Sequence, residues 1–191
     1  QRNDKNMAGT VLKGMCKGPG TVEILIRGLK NKKAKWQKAG RATGASFKAE
    51  IKNIPAGGPY SLDARVVNGG STTDQTSIKE FFAGDVWFLG GQSNMQGIGD
   101  LKDAPRAHPK VRAFYMRDEW SIAKEPLHVL AEAVDFVHNA GLRITGDALK
   151  KLMKNTFKGV GPGLWFGREM FSKTGVPQGL VCCAHGGTSM D

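Results

Sequence analysis

The sequence predicts an α/β chain in two parts, a β-rich lobe over residues 1–83 and an α/β region with a parallel sheet over residues 84–191. Two observations lead to this prediction. In the first part, short runs of alternating apolar and polar residues lie between turn clusters rich in Gly, Pro and Asn, a pattern typical of a small β-sandwich. From Gly84 onward, apolar strand-like runs alternate with segments of helical spacing, which is typical of parallel strands joined by crossover helices.

The strands of the β-rich lobe are predicted from period-two alternation, in which every second residue is apolar. Residues 21–27, 46–54 and 60–66 have this pattern, and residues 78–82 are expected to form the last strand before Gly84. Because each strand has one apolar face, the lobe is expected to be sandwich-like, with those faces turned inward.

The α/β region is predicted to contain three strands of the parallel sheet and three helices. The strands cover residues 86–89, 111–116 and 179–184. The helices cover residues 127–137, a segment that Thr145 caps, and residues 164–173. Gly175 and Pro177 are expected to end the last helix.

Residues 84–97 read GDVWFLGGQSNMQG and carry the strongest functional signal. The continuous apolar run 86–89 predicts a strand buried on both faces, and this strand breaks at Gly90 and Gly91 just before Ser93. A strand that ends in a glycine turn can expose a serine hydroxyl, with the serine N–H free to face an oxyanion. The alternative is a structural serine that only caps a helix, which has the same local pattern.

The run 84–97 resembles the first signature block of sialate O-acetylesterases and related carbohydrate acetylesterases, which belong to the SGNH (GDSL-like) hydrolase superfamily. Residues 179–190, GLVCCAHGGTSM, are similar to the strand of that family that ends in Gly-Gly-Thr. The resemblance implies that Ser93 is the nucleophile. It also implies that the backbone N–H groups of Ser93 and of Gly186 or Gly187 form the oxyanion hole.

The fold and function follow from the same resemblance as expectations. The α/β region is expected to be the first half of a three-layer α/β/α domain, and the β-rich lobe matches a segment often found before it. The implied function is a serine esterase that removes O-acetyl groups from carbohydrates, either sialic acid or plant-type acetylated polysaccharide, through an acetyl-enzyme intermediate. The alternative is a non-catalytic glycan-binding module with a degenerate hydrolase domain. No cofactor is expected, and no spacing of Cys or His is typical of a metal site.

Four further residues are expected to contact the substrate. Gln92 and Asn94 flank the predicted nucleophile, and His185 adjoins the Gly-Gly turn as a residue of the cleft wall. Trp120 lies in a loop expected to line the cleft, where it would stack on a sugar. A buried structural role is the alternative for Trp120.

A serine esterase also needs a base to take the hydroxyl proton and an acid to orient that base. The family has this Asp and His close together near the C-terminal end of the domain, and the sequence contains no such block. We therefore expect both residues beyond Asp191, in the remaining C-terminal part of a longer enzyme, and expect residues 1–191 alone to be inactive. His185 is interpreted as a cleft-wall residue rather than as the base.

The formal net charge of +11 raises the question of an anionic partner. Residues 30–41 form the densest basic stretch and surround Trp36, a combination that can bind nucleic acid or a sugar chain. The favoured interpretation is a solvated hairpin edge, so no nucleic-acid partner is expected besides the O-acetylated carbohydrate. No apolar run approaches the roughly 20 residues that span a bilayer, so no membrane partner is expected. The compartment stays open, with a secreted, periplasmic or lysosomal location favoured over a cytoplasmic one.

Overall fold

The structure is a computed structural model that describes residues 2–30 and 33–188. The chain divides between Gly84 and Asp85 into two compact units. No helix in the described ranges is long and apolar enough to cross a membrane.

The first unit consists of one antiparallel sheet. Its six strands, β1 to β6, are Met7–Met15, Gly20–Arg27, Gln37–Ala42, Ser46–Pro55, Gly57–Asn68 and Ser71–Ala83. Hydrogen bonds join them in the order β1-β4-β3-β2-β5-β6. Ile51 of β4 and Leu62 of β5 belong to one buried cluster although two strands lie between them, so the sheet curls around its own apolar face. The expected sandwich of two sheets is therefore corrected to a single curled sheet.

The predicted strands 21–27, 46–54 and 60–66 are confirmed, and residues 78–82 are the end of the much longer β6. The sequence did not indicate β3, and the interpretation of residues 30–41 as a hairpin edge is wrong for β3. This strand pairs with both β2 and β4. A β-carbon on Gly40 would clash with the carbonyl oxygen of Lys48, so the missing side chain is what lets β4 approach. Lys32 lies outside the described residues.

The second unit combines a four-stranded sheet with helices. Its strands, β7 to β12, are Asp85–Leu89, Gly99–Asp100, Val111–Tyr115, Glu119–Ile122, Lys158–Val160 and Gln178–Cys182. Its helices, α1 to α4, are Ser93–Gln96, Phe136–Asn139, Gly146–Asn155 and Pro162–Thr174, with 3₁₀ turns at Leu101–Asp103 and Leu130–Glu132. The main sheet has the order β10-β9-β12-β7, in which β12 is parallel to both neighbours and β10 is antiparallel to β9. β8 and β11 form a separate pair. The predicted parallel sheet is confirmed.

Helix α4 covers one face of this sheet and closes the core of the second unit. Leu164 of the helix and Leu180 of the central strand are both fully buried there. The helix can approach the sheet this closely because Gly167 has no side chain. A β-carbon at that position would meet Val111 at 2.9 Å. Gly175 ends the helix in the left-handed conformation with a φ of 66°, as the sequence predicted.

The opposite face of the sheet is apolar and open. Phe88 is 77% exposed, Val86 is 41% exposed and Trp120 is 50% exposed. The prediction that residues 86–89 are buried on both faces is therefore wrong. The physical reason is that, within the described ranges, no element packs on this face of β7.

The predicted helix over residues 127–137 is also wrong. Thr145 does precede the first residue of α3, as predicted, but its side chain makes no capping hydrogen bond. Residues 127–137 are held instead by bonds to other parts of the chain. The Glu125 carboxylate accepts the N–H of Leu127 at 2.8 Å, and the N–H of Val134 donates to the carbonyl of Met116 at 3.0 Å. Because these groups bond outside the segment, the apolar residues at helical spacing do not make a helix.

Candidate active site

Ser93 lies at an exposed position just after the turn that ends β7. The strand stops at Leu89, which is buried. Gly91 then bends the chain with a φ of +149°, and a β-carbon there would come within 2.9 Å of the Met95 Cβ. Other residues are strained in this conformation, so the turn needs glycine at this position. Among the described residues, none forms a hydrogen bond with the Ser93 Oγ.

The Gly186–Gly187 turn reaches the same edge of the sheet because β12 runs parallel to β7. Gly187 adopts a φ of +78°, and a β-carbon built on Gly186 would lie 3.5 Å from the Ser93 Cα. The absence of a side chain at Gly186 therefore permits the close approach of the two turns. The turn lies beside Ser93 as expected, while its function as an oxyanion hole stays a prediction.

Side-chain and backbone hydrogen bonds join the two turns. The N–H of His185 donates to the carbonyl oxygen of Gly91 at 3.0 Å, and the Gln92 amide donates to the carbonyl oxygen of Thr188. Gln92 was predicted to contact substrate, but its amide N–H is engaged in holding the second turn. Asn94, the other predicted neighbour, is exposed, and no described residue bonds to its side chain.

The N–H of Gly186 is also engaged. It donates to the Oε1 of Gln96 at 2.6 Å. One of the N–H groups predicted to bind the oxyanion is therefore already hydrogen bonded to a side-chain oxygen. Sequence reasoning missed Gln96. The available signal was its position three residues after Ser93, which places both side chains on one face of the short helix α1.

Trp120 lies away from Ser93. It is in β10, at the opposite edge of the sheet from β7. Its ring packs on Phe114 with centroids 5.4 Å apart and covers Gly179, near the start of β12. The ring therefore makes a packing contact on the open sheet face, and the expected sugar contact stays a prediction.

Two stacked histidines, His185 and His138, lie beside the second turn. The His185 ring stacks on His138 with centroids 5.2 Å apart, and its Nδ1 is buried with no partner in the described chain. The carboxylate of Asp135 holds the Nδ1 of His138 at 2.7 Å, and this bond lowers the pKa of Asp135. The expected position of His185 in the cleft wall stays a prediction. The sequence signal for the Asp135–His138 pair was the three-residue spacing that also caps α2.

His128 is buried close to the nucleophile turn. Burial lowers its pKa, while backbone interactions with Leu89 and Gln96 oppose that shift. These two residues stand on either side of Ser93 in the chain, so the buried His128 ring lies near the turn, and neither of its ring nitrogens has a hydrogen-bond partner in the described chain. Sequence reasoning assigned His128 to the helix that does not form and therefore missed this position.

Glu125 lies beside the start of α4; its Oε2 accepts the N–H of Leu127, and its Oε1 is buried with no hydrogen-bond partner in the described chain. It is buried, and burial raises its pKa to about 7, although the backbone N–H groups of Leu127, Gly161 and Leu164 lower it. The last two groups belong to the first turn of α4, so the carboxylate lies where the helix has unpaired donors. The first turn of α4 packs closely against Leu89, since a β-carbon on Gly163 would come within 2.5 Å of that side chain.

A cleft of about 870 Å³ opens at the carboxyl end of β9. Basic residues on its rim include Arg106, Lys124 and Lys154, and α3 forms one wall. Ligands of parallel sheets bind beyond the carboxyl ends of the strands, but neither Ser93 nor the Gly186–Gly187 turn lines this cleft. The sequence did not indicate this cleft, because its lining residues come from distant segments.

No histidine or carboxylate in the described ranges is hydrogen bonded to Ser93. The expected base and acid beyond Asp191 therefore stay a prediction.

Comparisons with known proteins give the family. Human sialate O-acetylesterase is 24% identical over 193 residues, an alignment that covers 98% of this chain and 35% of the relative. A carbohydrate acetylesterase from Xanthomonas citri shares the fold, with a TM-score of 0.54 and 22% identity over 95% of this chain and 38% of that structure. The chain thus spans about a third of the length of the curated relative it matches. The family model described as carbohydrate esterase, sialic acid-specific acetylesterase, matches residues 83–191, more than half of the sequence, so the chain belongs to this family.

Proposed function

We propose that this chain carries the nucleophile of a serine esterase that removes O-acetyl groups from carbohydrates, sialic acid or acetylated polysaccharide. The observation that carries the proposal is the position of Ser93, exposed after a glycine turn and closely approached by Gly186. Membership of a carbohydrate esterase family supports the substrate class. A serine that only capped a helix would not need a second glycine turn against it.

The proposed reaction has two steps. The Ser93 Oγ attacks the acetyl carbonyl carbon while a base takes the hydroxyl proton, and that proton then passes to the departing sugar oxygen. Water hydrolyses the resulting acetyl-serine and releases acetate. The N–H groups of Ser93 and of Gly186 or Gly187 stabilise the oxyanion in each step, and one such donor contributes about 3 kcal/mol in comparable sites.

The base and its orienting carboxylate are proposed to follow Asp191 in the full-length enzyme. The finer fold is also a proposal: a three-layer α/β/α domain in which helices cover the open face of β7. The exposed side chains of Val86 and Phe88 support it, because soluble proteins seldom expose contiguous apolar patches.

The test uses the full-length enzyme with p-nitrophenyl acetate and with O-acetylated sialic acid or acetylated xylan. Ser93→Ala is expected to remove more than 99% of the turnover on every substrate, because nucleophilic serines contribute far more than a hundredfold. Ser172→Ala, at an exposed position of α4, is the matched control and should leave turnover unchanged. Turnover that persists in Ser93→Ala would place the nucleophile elsewhere.

A further inference from the structure

The contact between Gln96 and Gly186 lies where the chemistry of the site needs a free donor. The Gly186 N–H donates to the Gln96 Oε1 at 2.6 Å. A β-carbon built on Gly186 would lie 2.8 Å from that oxygen and 3.5 Å from the Ser93 Cα. Since a backbone N–H requires an acceptor, the amide of Gln96 must present its oxygen here. A carbonyl oxygen therefore already lies against Gly186, next to the serine.

The short helix α1 accounts for the direction of the Gln96 side chain. The Gln96 N–H donates to the carbonyl oxygen of Gln92 at 2.8 Å, and the Gly97 N–H donates to that of Ser93 at 2.9 Å. These bonds form a single helical turn in which Ser93 and Gln96, three residues apart, lie on the same face. The amide of Gln96 is thereby directed to the same space as the serine side chain.

The contact is not needed to hold the Gly186–Gly187 turn in place. Two other hydrogen bonds already fix this turn, from the His185 N–H to Gly91 and from the Gln92 amide to Thr188. The bond to Gln96 instead takes up an N–H that the proposed function assigns to the oxyanion.

We propose that Gln96 restrains the activity of the site, because its amide oxygen occupies the position of the substrate's carbonyl oxygen and an ester must displace it to react. This inference rests on the proposed function. A negatively charged oxyanion forms a hydrogen bond about twice as strong as that of a neutral acceptor, so the transition state displaces the amide. A neutral ester carbonyl competes on nearly equal terms with the amide. The cost of this displacement is the same for every ester, so Gln96 lowers kcat/KM for each of them, and binding energy from a sugar offsets that cost.

The test measures kcat/KM of the full-length enzyme for p-nitrophenyl acetate, which lacks a sugar. Gln96→Ala is expected to raise kcat/KM about 2- to 10-fold, since a neutral hydrogen bond of ordinary net strength is no longer displaced. Gln96→Glu is expected to lower it at pH 8, because a carboxylate binds the Gly186 N–H more tightly. Gln37→Ala and Gln37→Glu, at an exposed position in β3, are the matched controls and should leave it unchanged.

Gln96→Met keeps the length of the side chain without its amide oxygen. It should raise kcat/KM like Gln96→Ala, and it provides the measurement if the alanine variant does not fold. A tenfold or larger loss of kcat/KM in the variant that folds would overturn the proposal and show that Gln96 positions Gly186. An unchanged kcat/KM would overturn it as well.

Ser93→Ala separates this inference from the function on which it rests. Turnover that depends on Ser93 but not on Gln96 contradicts the inference and leaves the proposed function in place. Turnover that does not depend on Ser93 contradicts both.

Discussion

The backbone N–H of His185 donates to the carbonyl oxygen of Gly91 at 3.0 Å, a bond that joins the turn after β12 to the turn before Ser93. The parallel register of the two strands sets this distance, so the position of Ser93 depends on the main sheet as well as on its own loop. The turn geometry is therefore open to test by changes in single glycines.

Gly91→Ala is expected to destabilise the second unit by about 1–3 kcal/mol, because alanine is strained at a φ of +149° and its β-carbon would meet Met95. Gly90→Ala is the matched control, since nothing lies within 4 Å of a β-carbon there. Urea unfolding of the two variants measures the difference. Equal stability of the two would show that the turn does not require glycine at position 91.

Glu125→Gln is expected to stabilise the protein at pH 8 and to change it little at pH 4.5. Burial raises the pKa of Glu125 from 4.5 to about 7, so the folded state binds the proton more tightly than the unfolded state. The contribution of the protonated Glu125 to the free energy of unfolding is fully present below pH 4.5. It is lost as the pH rises through 7, and the loss is at most about 3 kcal/mol. The glutamine removes this loss.

Urea unfolding at pH 4.5 and pH 8 measures the effect. Glu169→Gln, an exposed position on α4 that pairs with Lys173, is the control and should show no such pH dependence. If Glu125→Gln shifted stability equally at both pH values, the ionised buried carboxylate would not be the cause.

His128→Asn is expected to make the protein less sensitive to mild acid. Burial lowers the pKa of His128 below 6.5, so the unfolded state binds the proton more tightly. The stability from the neutral ring is present above pH 6.5 and is lost as the pH falls through the lower folded-state pKa. Denaturant midpoints between pH 7 and pH 5 should therefore fall more steeply in the wild type than in the variant. Parallel slopes would contradict a neutral, buried His128.

Local sequence patterns predicted the elements whose structure follows from residue periodicity and from stop signals within the element. Strands with strict alternation, such as residues 60–66, and helix α4 with its Gly175 stop were predicted correctly. The helix predicted over residues 127–137 does not form, because backbone N–H groups of this segment donate to the carboxylate of Glu125 and to the carbonyl oxygen of Met116. Such tertiary bonds leave no periodic signal in the sequence.

The candidate site divides in the same way. Ser93 was predicted from the apolar strand and glycine turn before it and from the family resemblance, and the Gly186–Gly187 turn was predicted from that resemblance. Gln96 and His128 were missed because their importance comes from contacts across the fold rather than from spacing. Trp120 was assigned to the cleft because its loop resembles a tryptophan-containing loop of the family, whereas in the fold it belongs to β10, which pairs antiparallel with β9.

Phe88→Ser tests the proposed third layer. In residues 1–191 the side chain is 77% exposed, so the variant should keep its stability and aggregate less. In the full-length enzyme the same change should destabilise by about 3 kcal/mol or more, because covering helices would bury the ring. Denaturant unfolding of both lengths gives the comparison. Equal effects in the two would show that nothing covers this face.

The central position of β12 has a consequence for the order in which the molecule folds during synthesis. The indole N–H of Trp87 donates to the Oε1 of Gln178 at 2.8 Å across 91 positions of sequence, and β7 and β9 have no strand between them until β12 arrives. Pairing over such a separation is slow, and waiting strand edges attract other chains. A nascent chain therefore carries Ser93 long before it carries the turn that faces it, and the two turns meet only once translation has passed Gly187.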